Sequence, residues 1–220
     1  MTVQQYRQFI KDGGYETQAY WTMNGWKWNQ DRDRVQPSFW GNEHFSDKNQ
    51  PVVGITWYEV TAFAAWLKAQ LANSLPEDYH VYVPTEAQWE VACAYDGDGQ
   101  RHLYPWGEEK PKHDLADFAG GRNPDRPAPV GCCPAGVAAC GALDMVGSVW
   151  EITTSSPDGY PGESGTMVVD FTINNYDIPW RGGGWENGSA SVHCAARDRT
   201  HLDHDFMNHD GFRLVISPLP

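Results

Sequence analysis

The chain has 220 residues, and its 16 lysines and arginines stand against 29 aspartates and glutamates, which gives a formal net charge of −13. So acidic a chain lacks the basic face that sequence-independent binding to nucleic acid requires, and it has no attraction to an anionic membrane surface. No stretch approaches the length of a membrane span, and the N-terminus has neither the basic nor the apolar region of a signal peptide. We therefore expect no membrane insertion, and we favour the cytoplasm.

Three helices are predicted in the first hundred residues. Apolar residues recur at helical spacing over residues 3–11. Thr56 with Glu59, and Thr85 with Gln88, have the spacing of a capping box, in which two side chains satisfy the first amides of a helix. The sequence therefore predicts one helix at the N-terminus and one after each of these threonines.

The rest of the chain has the pattern of short strands and loops. Residues 20–45 are rich in tryptophan and phenylalanine but show no period, and residues 100–142 form a long Gly- and Pro-rich loop that other contacts must hold. The predicted strands cover residues 51–56, 79–83, 168–173, 179–183, 192–197 and 212–216. We expect a single α+β domain over residues 1–220, which could be the C-terminal part of a longer protein.

Seven short motifs follow one another along the chain. They are PTEAQWE at 84–90, YPWG at 104–107, PVG at 129–131, DMVGSVWE at 144–151, RGGGW at 181–185, CAAR at 194–197 and GFR at 211–213. Together they resemble the formylglycine-generating-enzyme (sulfatase-modifying factor) family over nearly the whole chain. The resemblance implies a variant C-type-lectin fold with two helices, a small twisted antiparallel sheet and extensive loops.

The oxidase members of that family use a pair of cysteines between the RGG and CAAR motifs. Here residues 184–193 contain no cysteine, and Cys194 belongs to the CAAR motif itself, so a thiolate-bound copper has no ligands. The ergothioneine-type iron oxygenases that share this domain need an additional His-rich domain, and we expect none here. We therefore expect no copper, no iron and no enzymatic activity. The adjacent Cys132 and Cys133 would pair only under strain, so we expect reduced thiols.

Residues 181–213 resemble the variable proteins of diversity-generating retroelements, in which mutagenic reverse transcription rewrites the end of a C-type-lectin-fold gene. Asp, His, Ser, Thr and Asn are frequent here, and adenine changes in an Asn codon reach most of these types. The resemblance implies a non-catalytic protein with a diversified ligand-binding surface. The predicted ligand-binding residues are Trp185, Glu186, Asn187, Ser189, Ser191, His193, Asp198, Thr200, His201, Asp203, His204, Asp205, Phe206, Asn208, His209 and Asp210.

Alternation of polar and apolar residues predicts a strand that presents Ser189, Ser191 and His193 on one face. Trp185 and Phe206 are the expected aromatic anchors of a ligand, although the tryptophan could equally be core. The partner is an unknown protein or another surface ligand, and the many aspartates favour a cationic or hydrogen-bonding one. An ordinary polar loop that is rich in Asp and His would have the same composition.

A structural calcium site is predicted in the DMVGSVWE motif. In the resembled family, the matching positions supply two side-chain carboxyl or amide oxygens and two backbone carbonyls. These ligands would be the side chains of Asp144 and Glu151 and the carbonyls of Gly147 and Val149. Calcium prefers such oxygen ligands, and we expect it to tie down the long 100–142 loop.

Two other functions remain open at this stage. The chain could be a divergent metal-dependent enzyme of the same family, with its chemistry near residues 193–209. It could also be a sensor domain of a larger bacterial signalling protein. A stoichiometric transition metal would favour the enzyme, and upstream coding sequence in the same frame would favour the sensor.

Overall fold

The computed structural model describes residues 1–121, 124–155, 177–203 and 207–218. Four α-helices lie within these residues, together with single turns of 3₁₀ helix at 18–20, 134–136 and 189–191. The helices are α1 (Val3–Lys11), α2 (Met23–Asp31), α3 (Trp57–Gln70) and α4 (Glu86–Ala94).

Three of these helices begin at capping boxes. Thr2, Thr56 and Thr85 each accept a hydrogen bond from the amide three residues later, and the side chain at that position bonds back to the threonine amide. The three predicted helices are thereby confirmed.

Helix α2 lies inside the segment that was predicted to be irregular. Thr22 caps it by accepting a hydrogen bond from the amide of Gly25, 3.0 Å away. Trp28 is fully buried and packs beside Trp21 and Tyr58, with ring centroids 6.5 and 5.6 Å apart. Tertiary packing of one tryptophan therefore stabilises a helix that has little amphipathic pattern of its own.

The strands are short and form two sheets. They are β1 (His80–Tyr82), β2 (Trp150–Ile152), β3 (Asp177–Arg181), β4 (Arg197–His201), β5 (Asp210–Gly211) and β6 (Val215–Ser217). β1 pairs with β6, and the other four form a sheet in the order β4-β3-β2-β5. Pairing is antiparallel except between β2 and β5, where Trp150 lies opposite Asp210 in a parallel register. The described residues confirm the predicted α+β class.

Some predicted strands are wrong. Within residues 51–56 only Pro51 forms a bridge, to Thr2. Residues 189–191 form a 3₁₀ turn, so the strand with one presented face does not exist there. β4 begins at Arg197, at the end of the predicted strand 192–197. The prediction at 168–173 lies outside the described residues.

Close backbone contacts hold the long loop after α4. Gly147 has φ +76°, and a side chain there would collide with the carbonyl of Asp117. The amide of Ser148 donates to that same carbonyl at 2.8 Å. The carboxylate of Asp117 in turn accepts from the amide of Ala128 at 2.8 Å. Contacts to the residues just before β2, and hydrogen bonds within the loop, therefore order a segment that has little regular structure.

Buried ion pairs join α4 to the four-stranded sheet. Arg197 donates from Nε and Nη2 to the two carboxylate oxygens of Glu86, at 2.8 Å each. Arg181 is almost completely buried and donates to Glu90 and to the carbonyl of Cys194. These arginines support the fold by linking β3 and β4 to α4. Among the described residues, no helix is long and apolar enough to cross a membrane.

Replacing Trp89 with Ala should destabilise the fold severely. Trp89 lies on α4 with only 1% of its surface exposed, and its indole donates to Glu151 at 2.6 Å. Loss of the ring and of this partner should lower the free energy of unfolding by about 3–5 kcal/mol, as measured by urea denaturation. Met23→Ala, at a highly exposed apolar residue, is the control and should cost little. A stable Trp89→Ala variant would contradict the assigned core.

Candidate functional site

Some of the predicted ligand-binding residues in 181–213 are buried rather than exposed. Trp185 is buried, contributes to an apolar cluster with Phe45 and Val149, and donates from Nε1 to the carbonyl of Asn208 at 3.2 Å. Asn187 accepts from the indole of Trp150 at 2.7 Å. These residues support the fold rather than presenting themselves to a ligand.

The remaining predicted residues divide into several groups. Ser189 is exposed and Ser191 half-buried in the 3₁₀ turn, and His193 is half-buried after it. Thr200 is nearly buried within β4. The predicted residues His204, Asp205 and Phe206 lie outside the described residues.

One polar cluster lies at the end of β4. His201 Nδ1 is 2.9 Å from Asp203 Oδ1, and Arg32 Nη2 is 2.9 Å from Asp203 Oδ2. Arg32 comes from the end of α2, and its guanidinium also lies over the ring of Trp28. This cluster is open to solvent and well satisfied, so its contacts tie α2 to β4.

A second cluster lies at β5, on the other edge of the sheet. His209 Nδ1 is 2.6 Å from Glu186 Oε1, and His209 Nε2 is 3.5 Å from Asp210 Oδ1. The Glu186 side chain is 40% exposed and that of His209 is 13% exposed, whereas Asp210 is fully buried. The imidazole therefore bridges a carboxylate at the surface and one in the interior.

Asp210 is the most unusual group in this cluster. Neither of its carboxyl oxygens has a hydrogen-bond partner in the part of the chain that the structure describes. The indole N–H of Trp180 also lacks an acceptor there, and the Trp180 ring lies edge-on to His209 at 6.4 Å. Buried polar groups are nearly always satisfied, so unpaired ones close together mark a candidate site for a ligand or a proton transfer.

Burial, with smaller contributions from Glu186 and Asp198, raises the pKa of Asp210 to about 9. Removal from water disfavours the charged carboxylate, and two neighbouring negative charges add to that effect. Asp210 is therefore a neutral acid at pH 7. It can donate a proton, and His209 lies between it and Glu186, with ring nitrogens 3.5 and 2.6 Å from their respective carboxyl oxygens.

Sequence reasoning named Glu186, His209 and Asp210 but not their arrangement. It placed them on one continuous variable surface, whereas the fold makes Asp210 the first residue of β5, which pairs with β2. Trp180 was missed because a tryptophan in a strand is usually core. The only sequence signal for the cluster was an aspartate directly before the Gly-Phe-Arg motif at 211–213.

The two side chains among the predicted calcium ligands, Asp144 and Glu151, are already engaged. Arg213 donates to both carboxylate oxygens of Glu151, at 2.5 and 2.8 Å, and Trp89 donates to one of them. Asp144 accepts from the amide of Gly131 at 2.7 Å. A calcium ion that uses the Glu151 carboxylate would have to displace the Arg213 guanidinium. The site at Asp144, Gly147, Val149 and Glu151 stays a prediction.

The described residues contain no ligand set for a transition metal. Histidine, cysteine and carboxylate side chains nowhere converge there in a group of three or more that could hold a metal ion. The expectation that the chain binds neither copper nor iron stays a prediction.

Comparison with known proteins gives the family. The model of the sulfatase-modifying factor enzyme 1-like domain matches residues 1–218. The hercynine oxygenase of Mycobacterium tuberculosis is 35% identical over 216 residues, which cover 90% of this chain and 46% of that protein. The hercynine oxygenase of Mycolicibacterium smegmatis is 36% identical over 219 residues, which cover 91% of this chain and 48% of that protein. The chain therefore spans about half the length of these relatives.

A solved structure supports the fold. The variable protein 1 of Treponema denticola superposes with a TM-score of 0.52 at 16% sequence identity, over 84% of this chain and 75% of that one. A likeness at such low identity shows a shared fold and nothing about shared function. It confirms the resemblance to the C-type-lectin-fold variable proteins at the level of architecture.

The expectation of a non-catalytic, diversified binding protein is wrong. Relatives that are 35% and 36% identical to this chain over about nine-tenths of its length are named as oxygenases, which are enzymes. The missing cysteine pair argues against one chemistry of the family, the thiolate-bound copper, and not against enzymatic activity as such. Part of the polar composition of residues 181–213 has a structural explanation, because Asn187 accepts hydrogen bonds from the indole of Trp150 and the amide of Gly184.

Replacing Asp210 with Asn should remove a pH dependence of stability. The folded carboxyl keeps its proton up to about pH 9, whereas the unfolded one loses it above its ordinary pKa of 3.8. The unfolded state thus binds fewer protons between these values. The free energy of unfolding of the unmodified protein should therefore fall there by about 1.4 kcal/mol per pH unit, relative to Asp210→Asn.

Urea denaturation at several pH values measures this difference. Asp78→Asn, at an exposed loop aspartate, is the matched control and should follow the unmodified protein. Parallel curves for Asp210→Asn and the unmodified protein would show that Asp210 is an ordinary ionised carboxylate.

Proposed function

Because this chain belongs to the family of sulfatase-modifying factor enzyme 1-like domains, we propose that it forms part of an oxygenase of the hercynine oxygenase kind. The observation that carries this proposal is the similarity to hercynine oxygenases over nine-tenths of the chain. Since the chain matches about half of each relative, the reaction, its substrate and its partners are all part of the proposal.

The site of this function is the cluster around Asp210. Glu186 and Asp198 give the site negative charge, and the inner strand β3 adds the ring of Trp180. Carboxylates beside an aromatic ring favour an organic cation, which gains from both the charge and the ring quadrupole. The net charge of −13 also attracts a cation over longer distances.

The cluster also supplies a proton. Asp210 is a neutral acid at pH 7, so its proton is available to a substrate atom that gains charge during the reaction. His209 bridges Asp210 to the half-exposed Glu186 and can restore that proton from solvent. The proposed role of these residues is to bind substrate and to move protons, and no metal ligand is assigned among them.

Hercynine-dependent oxygen uptake by the full-length protein tests the proposal. We expect uptake, with an oxygenated product in the mass spectrum, and a fall in kcat of about a hundredfold in Asp210→Asn. His209→Gln should act in the same direction because it breaks the link to Glu186. Ser189→Ala, in the exposed 3₁₀ turn outside the cluster, is the control and should retain full activity.

No oxygen uptake with hercynine would overturn the assignment of the reaction. Full activity in Asp210→Asn would instead overturn the assignment of the site. Circular dichroism melts of each variant show whether a lost activity reflects unfolding.

A further inference from the structure

Two neighbouring thiols form a preformed pair on the long loop. Cys132 Sγ lies 3.4 Å from Cys133 Sγ. Cys132 is half-buried and can be reached from solvent, whereas Cys133 is 4% exposed and also contacts the carbonyl of His113. The function proposed above makes no use of either thiol.

The backbone around the pair is fixed from several sides. The amide of Cys132 donates to the carbonyl of Pro129 at 3.1 Å, and the amide of Gly131 donates to the carboxylate of Asp144 at 2.7 Å. Gly136, at the end of the 3₁₀ turn that follows, lies so close to the carbonyl of Leu115 that a side chain there would collide with it. The two sulfur atoms are therefore held together by the loop rather than brought together by chance motion.

The distance between the two sulfur atoms favours one kind of thiol reagent. A disulfide requires a bond of about 2.05 Å and, between adjacent residues, a strained ring. Two thiolates on one soft, pyramidal, three-coordinate centre stay unbonded to each other, at a separation near that observed. Trivalent arsenic is such a centre, since it prefers sulfur ligands and takes two of them from a dithiol.

The raised pKa of Cys133 also favours a trivalent arsenical. Burial, then Cys132, Asp117 and Asp144, raise the pKa of Cys133 to about 12, so that its thiol keeps its proton at pH 7. Reagents that attack only a thiolate are thereby disfavoured. An arsenical that carries hydroxyl groups does not need an ionised thiol, because each thiol proton leaves with a hydroxyl as water.

We propose that Cys132 and Cys133 form a dithiol site for organic trivalent arsenicals, independent of the oxygenase function. In the reaction, R–As(OH)₂ and two thiols give R–As(S–Cys)₂ and two molecules of water. Two As–O bonds and two S–H bonds break, and two As–S bonds and two O–H bonds form. No atom changes its oxidation state, so no oxidant or reductant is required.

The other cysteines do not provide an equivalent site. Cys93 and Cys194 face each other at 2.7 Å, but they are only 2% and 0% exposed and lie between α4 and the CAAR motif. Cys140 is exposed, and its neighbour in space is the carbonyl of Ala92 rather than a second thiol. A single thiol forms only one As–S bond and exchanges easily, so the stable adduct belongs to the pair.

Phenylarsine oxide, which becomes the dihydroxy form in water, is the probe. Intact-mass spectrometry of the folded full-length protein should show one stable adduct per chain, which 2,3-dimercaptopropanol removes. Cys132→Ser should abolish that adduct, and Cys133→Ser should do the same. Cys140→Ser is the matched control and should retain it.

A thermal melt supplies a second measurement. The arsenical bridges the thiols of the native turn, so it should raise Tm of the unmodified protein and of Cys140→Ser but not of Cys132→Ser. No stable adduct on the unmodified protein, or an undiminished adduct and Tm shift in a folded Cys132→Ser variant, would overturn the proposal.

Discussion

The carboxylate of Glu151 joins three parts of the chain that are far apart in sequence. Arg213, from the Gly-Phe-Arg motif, donates hydrogen bonds to both of its oxygens. Trp89, from α4, donates to one of them. Arg213 also donates to the carbonyls of Leu143 and Asp144, at the end of the long loop. Such a buried, bidentate pair is strong only while complete, because either charge left alone would cost several kcal/mol.

This ion pair fixes the position of the candidate site. Glu151 lies opposite Gly211 in the parallel pairing of β2 with β5, so the residue before that glycine, Asp210, is held beside Trp150. The carboxyl of Asp210 is consequently buried and loses contact with water. The same structural support that stabilises the fold therefore creates a neutral acid, and His209 and Glu186 connect it to the surface.

The sequence predicted the helices whose first residues are fixed by nearby side chains. The capping boxes at Thr56 and Thr85 determine where helices begin, and both predictions are confirmed. Helix α2 was missed because it depends on the burial of Trp28 by distant residues. The composition of residues 181–213 predicted an exposed binding surface, yet Trp185 is buried, because contacts from elsewhere in the chain decide which polar stretches are covered. The pairing of β2 with β5, and with it the burial of Asp210, has no local signal at all.

If Asp210 is the buried acid of the site, carbon-13 NMR of its carboxyl reveals this directly. The signal, assigned by comparison with Asp210→Asn, should titrate with a midpoint near pH 9, and it should shift when hercynine is added to the full-length protein. A midpoint below about pH 5, the ordinary range of an aspartate, and no response to hercynine would contradict both the chemistry and the location of the site.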